Sequence, residues 1–342
     1  MITGVFWALL AGLMLGLYAL PGKYTKDFQF ENTWGLFFLL TMFAVPIIAT
    51  FALMTGIAEA YAQVPTGTMV VIVGSSFLWG CGVMMWGKAI DHIGLSLGFS
   101  LFIGTVILIG SILPFFVDGL PPANALTTIL SGIAVVLVGV IANGKAGLLR
   151  EKDEAANKSA DEPDADTKGS MTVGILIAVF GGLLATGFSV ANAVGRPILH
   201  AACQQLGNPD WVTAIAIMFP VFLSGGVVMS VYFAWQLSKK KAWGGFKTPR
   251  FSANFGLILI MAFFHYAASA TFAYAAYKLG DMGNTVGYAI FNTTCVAVAI
   301  ISGIVTGEWT KASTRAKAWL YTGLACMVLG IIIVAMGNLL SQ

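Results

Sequence analysis

His265 lies midway along FFHYAASATFAYAAYKLG, residues 263–280, a stretch otherwise apolar or weakly polar. Its imidazole, with an ordinary pKa of about 6.5, could take up and release protons near neutrality. On a helix, Ser269 and Phe272 follow it on the same face at i+4 and i+7. Asn192 and Asn292 are amides in apolar runs. Each can donate and accept hydrogen bonds, and leaving such a group unpaired in an apolar medium costs on the order of 2–7 kcal/mol. Amides so placed either bind a polar solute or hold neighbouring helices together. Trp79 and Trp86 stand seven residues apart, on one helical face. The chemistry on offer is reversible protonation and neutral hydrogen bonding beside aromatic walls.

The elements that position these groups are membrane spans. Of the 342 residues 58% are hydrophobic and 10% charged, far below the roughly 25% charged of a soluble domain, and the mean hydropathy is +0.86. Apolar runs long enough to cross a bilayer as helices lie at 2–20, 35–56, 68–87, 93–115, 125–143, 171–193, 211–237, 253–277, 283–306 and 317–340. Lipid leaves open strand edges unpaired, and the runs lack barrel alternation. The fold class is an all-α polytopic membrane protein with ten transmembrane helices. Residues 2–20 lack a basic region before them and read as the first span rather than a cleaved leader. Cys81, Cys203, Cys295 and Cys326 show no C-x-x-C or Cys/His spacing and read as packing residues.

Loops fall alternately on the two sides of the membrane. Of the 18 Lys and Arg, only Arg196 and Lys278 lie on the side shared by loops 2–3, 4–5, 6–7 and 8–9. The positive-inside rule makes the other side cytoplasmic and both termini external. Residues 144–170, polar and of mixed charge, read as a flexible cytoplasmic linker between a first five-helix unit, 1–143, and a second, 171–342. Ser131-Gly132-Ile133-Ala134 is echoed by Thr322-Gly323-Leu324-Ala325, and Ala11-Gly12-Leu13-Met14 by Gly181-Gly182-Leu183-Leu184. An odd number of spans per unit makes the copies cross in opposite directions, the inverted repeat of many secondary transporters. No G-x-x-x-x-G-K-[ST], H-E-x-x-H, G-x-S-x-G or acidic metal cluster occurs. Neither ATP hydrolysis nor catalysis is expected, and no metal or cofactor, so transport would draw on a gradient. Membrane lipid is an expected partner and nucleic acid is not.

The segment WGCGVMMWGKAIDHIGLSLGFSLFIGTVILIG at 79–110, FENTW at 30–34, ATGFSVANAVGRP in span 6 and GEW at 307–309 resemble the L-rhamnose–proton symporter family, a branch of the drug/metabolite transporter superfamily. The resemblance covers nearly the whole chain. It implies a carrier of the bacterial inner membrane that imports a 6-deoxyhexose, a small-molecule sugar, together with a proton. A sugar needs amide or hydroxyl partners for its hydroxyls and a ring for its C–H face. With the repeat, this points to Asn192, Asn292, Trp79, Tyr18, Tyr274, Trp86, Ser189, Phe99, Tyr288 and Tyr266 as substrate-binding candidates near the midplane. Phe99 and Tyr288 hold equivalent positions in the two halves.

No Asp or Glu lies clearly mid-span, so His265 leads for proton coupling, with Glu31 of FENTW as its competitor. Asp91 and Asp281 follow spans 3 and 8, each three residues after a lysine, Lys88 and Lys278. These four read as edge ion pairs or as gates. A small-metabolite or drug exporter or exchanger is the alternative reading, and a channel or a membrane sensor also fits the bare sequence. An exporter of cationic drugs would carry an intramembrane carboxylate.

Overall fold

A computed structural model describes residues 2–93, 95–113, 115, 119–156, 170–280 and 283–340. It is all-helical, with no strand among the described residues. The membrane helices are α1 (Ile2–Leu17), α2 (Phe30–Leu53), α3 (Thr66–Ile93), α4 (Leu95–Ile112), α5 (Ala123–Ala156), α6 (Met171–Gln205), α7 (Val212–Lys239), α8 (Phe251–Lys278), α9 (Gly283–Val305) and α10 (Thr314–Leu340). Among the described residues, nine helices are long and apolar enough to cross a bilayer, and the apolar part of α4, Leu97–Ile112, is shorter. Its early end follows from Pro114, since the residue before a proline is biased out of the helical region.

Two boundaries differ from the sequence reading. The helix of span 5 continues to Ala156, so 144–156, assigned above to the flexible linker, is helical. The reason is local: from Leu148 to Ala156 the sequence LLREKDEAA holds neither Gly nor Pro and is rich in strong helix formers. The rest of that linker, 157–169, lies outside the described residues. Span 6 extends to Gln205, past Pro197, in two stretches that meet at Thr186.

Two π turns interrupt the regular pattern. One, Leu40–Ala44, sits in α2 just before Pro46. Proline offers no N–H to the carbonyl four residues back, and the Val45 N–H instead reaches the carbonyl of Leu40. The other, Gly283–Gly287, opens α9. Such turns often mark functional sites.

Packing is pairwise. α5 lies along α10, α3 along α6, α1 along α8 and α9, and α6 along α4. Between helices in lipid, close van der Waals approach replaces the hydrophobic drive available in water. At Gly12 an added Cβ would stand 2.5 Å from Thr294 Cβ and 2.7 Å from the Phe291 carbonyl oxygen. At Gly182 it would stand 2.7 Å from Thr105 Cβ and 2.8 Å from the Phe102 carbonyl oxygen. The interior between these pairs is aromatic, with Phe37, Phe222 and Phe272 fully buried. The outer faces carry exposed Ile48, Phe51 and Ile141, as a lipid-facing surface requires.

Candidate functional site

His265 is half-buried in α8 and faces α2 across a side-chain hydrogen bond, Nδ1 to Thr41 Oγ1 at 3.2 Å. Thr41 belongs to the π turn of α2, and its hydroxyl also donates to the Ala262 carbonyl at 3.2 Å. A hydroxyl has one proton. With that proton on Ala262, the hydrogen between Thr41 and His265 must come from Nδ1, which leaves the Nε2 lone pair as the imidazole's proton acceptor. Rings enclose the imidazole: Tyr18 at 5.0 Å, Phe37 at 5.4 Å and Phe222 at 5.6 Å between centroids.

From there a continuous series of rings crosses the interior. Phe222 meets Trp79 at 5.6 Å, Trp79 meets Phe188 at 5.3 Å, Phe188 meets Phe272 at 5.9 Å, and Phe272 meets Tyr288 at 5.6 Å and Phe291 at 4.8 Å. Thus Trp79 and Tyr288, singled out from sequence, lie on one wall with His265. Tyr288 fits only because residue 110 is glycine: a Cβ there would stand 2.3 Å from Tyr288 Cε1. Beside this wall the Ser189 hydroxyl donates to the Gly110 carbonyl at 3.4 Å. Asn192, fully buried, donates from Nδ2 to Asn284 Oδ1 at 2.7 Å.

Other candidates fall elsewhere. Asn292 donates one amide hydrogen back to the Tyr288 carbonyl of its own helix at 3.0 Å. Trp86 stacks on Phe102 at 5.7 Å, with Phe99 at 5.9 Å; the equivalence of Phe99 with Tyr288 in sequence does not bring Phe99 to the same wall. Tyr274 meets Trp7 at 5.6 Å near the end of α8, and with Tyr266 it lines a separate, largely apolar cavity of about 400 Å³ between α1, α2, α7 and α8. Tyr266 touches the main wall through Phe222, at 5.0 Å.

The charged candidates sit at the two ends. At the Lys/Arg-rich end Glu31 is buried and accepts from Lys240 Nζ at 2.5 Å, an ion pair between the first turn of α2 and the cap of α7 at the end of the bundle. Lys88 lies over the Tyr232 ring at 5.8 Å. Lys23 pairs with Glu308, Arg150 lies 4.9 Å above Trp309, and Asp153 Oδ2 accepts from the Ser313 backbone N–H at 3.0 Å. The helical extension of α5 is thereby docked on the loop between α9 and α10. At the opposite end Lys278 pairs with Asp210 at 3.6 Å and lies over the rings of Tyr274 and Tyr277. Burial works to raise the Asp210 carboxyl, but a hydrogen bond from Gln204 and the charge of Lys278 prevail and hold it below its ordinary range. His200, at the same end, bonds Thr213 at 3.1 Å and packs on Tyr277. Asp281 and the side chain of Asp91 lie outside the described residues.

Sequence reasoning missed Thr41, Phe188, Phe222 and Asn284, and found Phe272 only as a neighbour on the His265 face. A lone threonine or phenylalanine in an apolar run carries no signal. Asn284 does carry one, an amide inside the span-opening GNTVGY, and the proline six residues after Leu40 was a further clue to the turn that holds Thr41.

Comparison with known proteins identifies the family. The family model described as L-rhamnose-proton symport protein (RhaT) matches residues 1–340. Proteins named L-rhamnose-proton symporter from Yersinia pestis (strain Pestoides F) and Yersinia pseudotuberculosis serotype O:3 (strain YPIII) are each 23% identical over 354 aligned positions, covering 98% of both chains. The family is one of transporters and not of enzymes. With a match over essentially its full length, the chain belongs to the L-rhamnose-proton symport protein (RhaT) family.

Proposed function

We propose that the protein imports L-rhamnose, or a closely related 6-deoxyhexose, with a proton across the bacterial inner membrane. It works by alternating access of two inverted five-helix repeats, 1–143 and 171–342. The observation that carries the reading is His265, placed on the same aromatic wall as Trp79 and Tyr288, in a chain matched from end to end by a proton-coupled sugar symporter family.

The repeat is supported by packing. Gly12 meets Thr294 and the carbonyl of Phe291 as Gly182 meets Thr105 and the carbonyl of Phe102. The pairing of α3 with α6 corresponds to that of α8 with α1, and α1 with α9 corresponds to α6 with α4. The concentration of Lys and Arg at one end supports a cytoplasmic location for that end and external termini. In each cycle His265 Nε2 takes a proton while open to the outside and gives it up inside, while the rings hold the sugar's C–H face. Ser189 and Asn192 serve its hydroxyls, with Tyr18 and Trp79 as walls. Lys278–Asp210 closes the external end, and Glu31–Lys240 and Lys23–Glu308 close the cytoplasmic end. The symporter relatives do not favour the exporter alternative.

The test is uptake by proteoliposomes of a panel of hexoses and 6-deoxyhexoses with and without an imposed pH gradient. Saturable accumulation of L-rhamnose that follows the gradient is expected; uptake indifferent to both pH gradient and membrane potential contradicts proton symport.

A further inference from the structure

Asn192 and Asn284 face each other at the meeting of α6 and α9, both fully buried. One hydrogen bond joins them, Nδ2 of Asn192 to Oδ1 of Asn284 at 2.7 Å. Two amides can exchange two such bonds, yet here Asn192 Oδ1 and Asn284 Nδ2 have no partner among the described residues. The pair is therefore left with one unused acceptor and one unused donor. Exchanging O and N in both amides leaves the same open set, so the feature does not depend on which atom is oxygen. A buried polar atom without a partner costs about 1–3 kcal/mol, more than the roughly 0.5–1.5 kcal/mol a made bond returns.

The surroundings match one kind of ligand. A hydroxyl group both donates and accepts, so a single C–OH could bridge the pair, taking a hydrogen from Asn284 Nδ2 and giving its own to Asn192 Oδ1. Phe188 and Tyr288 each stand four residues from one of these amides, one helical turn away. Phe272 touches both rings, at 5.9 Å and 5.6 Å. Because α6 and α9 run in opposite directions, both amides lie toward the same end of this aromatic box, the end poor in Lys and Arg. Asn284 is held there by its π turn: at Gly283 an added Cβ would stand 1.9 Å from the Ala276 carbonyl oxygen, so the turn lies directly on α8. Both amides are themselves uncharged, which suits a neutral polyol.

We propose that Asn192 and Asn284 form a hydroxyl-recognition pair that binds one hydroxyl of the transported sugar, with Phe188, Phe272 and Tyr288 covering the adjacent apolar face, and that Asn284 is a specificity-determining residue. This rests on the sugar-transport reading above.

The experiment is calorimetric binding to the purified full-length chain of L-rhamnose and of analogues that each lack one hydroxyl. Wild-type protein, Asn284→Ala and Asn284→Ser are compared, the last being small and polar enough to keep the turn. The wild type is expected to bind one analogue roughly 10- to 100-fold more weakly than L-rhamnose. Both variants are expected to bind L-rhamnose more weakly by a similar factor and to show no further loss with that same analogue. Wild-type affinity that falls evenly across the analogues overturns the assignment, as does a variant whose loss adds to every deletion alike. Wild-type protein that binds none of these sugars overturns the transport reading itself, a result distinguishable from either.

Discussion

Thr41 Oγ1 stands 3.2 Å from His265 Nδ1 and 3.2 Å from the carbonyl oxygen of Ala262, so a single hydroxyl links the π turn of α2 to both the backbone and the imidazole of α8. The arrangement depends on Pro46, which breaks the regular bonding of α2 one turn above the site.

His265→Asn removes the titrating group and keeps a polar side chain. Gradient-driven accumulation should collapse to an internal-to-external ratio near one, against about tenfold per pH unit for coupling to one proton, while equilibrium exchange of sugar persists. Thr41→Val keeps the imidazole and removes its orienting bond. It should alter the pH profile of uptake while leaving KM for the sugar within about twofold, a split that simple loss of packing would not produce.

Glu31 is held by Lys240 at the end of the bundle, remote in contact terms from the aromatic interior. Glu31→Gln should therefore keep proton-driven accumulation. Neutralising a buried carboxylate that pairs with a half-exposed lysine nevertheless destabilises, so its thermal unfolding midpoint should fall by a few degrees, corresponding to about 1–3 kcal/mol. Loss of coupling with unchanged stability would transfer the proton role from His265 to Glu31.

Two amides, one in the first turn of α8 and one in the loop before α7, make the same contact at opposite ends. Asn254 accepts from the Lys26 backbone N–H at 3.1 Å and donates to its carbonyl at 2.7 Å. Asn208 does likewise with Thr55, at 2.8 Å and 2.9 Å. Asn254→Ala and Asn208→Ala should each lower stability by about 1–3 kcal/mol, and the losses should add in the double variant because the sites share no partner. Unfolding in detergent measures both.

Gly12 and Gly182 are equivalent by contact, so Ala at either position should cost a similar amount, about 1–3 kcal/mol of overpacking. Gly67, which has open space around its Cβ position, supplies the control: Gly67→Ala should leave the midpoint unchanged. A large difference between Gly12→Ala and Gly182→Ala would argue against the repeat.

Much of this fold is written plainly in the sequence, because lipid demands long apolar helices and charge marks their ends. Each apolar run corresponds to a helix. What the run lengths did not reveal were the extension of α5, where Leu148 to Ala156 stays helical through polar residues by propensity and docking, and the π turns, which are backbone events set by Pro46 and by Gly283. The site was legible where a residue type is costly in lipid, as at His265 and Asn192. It was obscure where the residue is ordinary there, as at Phe188 and Phe222. Tyr274 shows the converse failure: an aromatic with a hydroxyl reads as a sugar wall, but its place beside Trp7 and Lys278 is set by its position near the helix end.

The central claim is that sugar and proton move together and that His265 carries the proton. The most direct measurement is the internal pH of proteoliposomes holding the full-length chain when L-rhamnose is added outside with no pre-formed gradient and the membrane potential clamped. The account predicts rapid internal acidification with the wild type and none with His265→Asn, although that variant still exchanges labelled sugar. Sugar entry without acidification in the wild type, or undiminished acidification in His265→Asn, would contradict it.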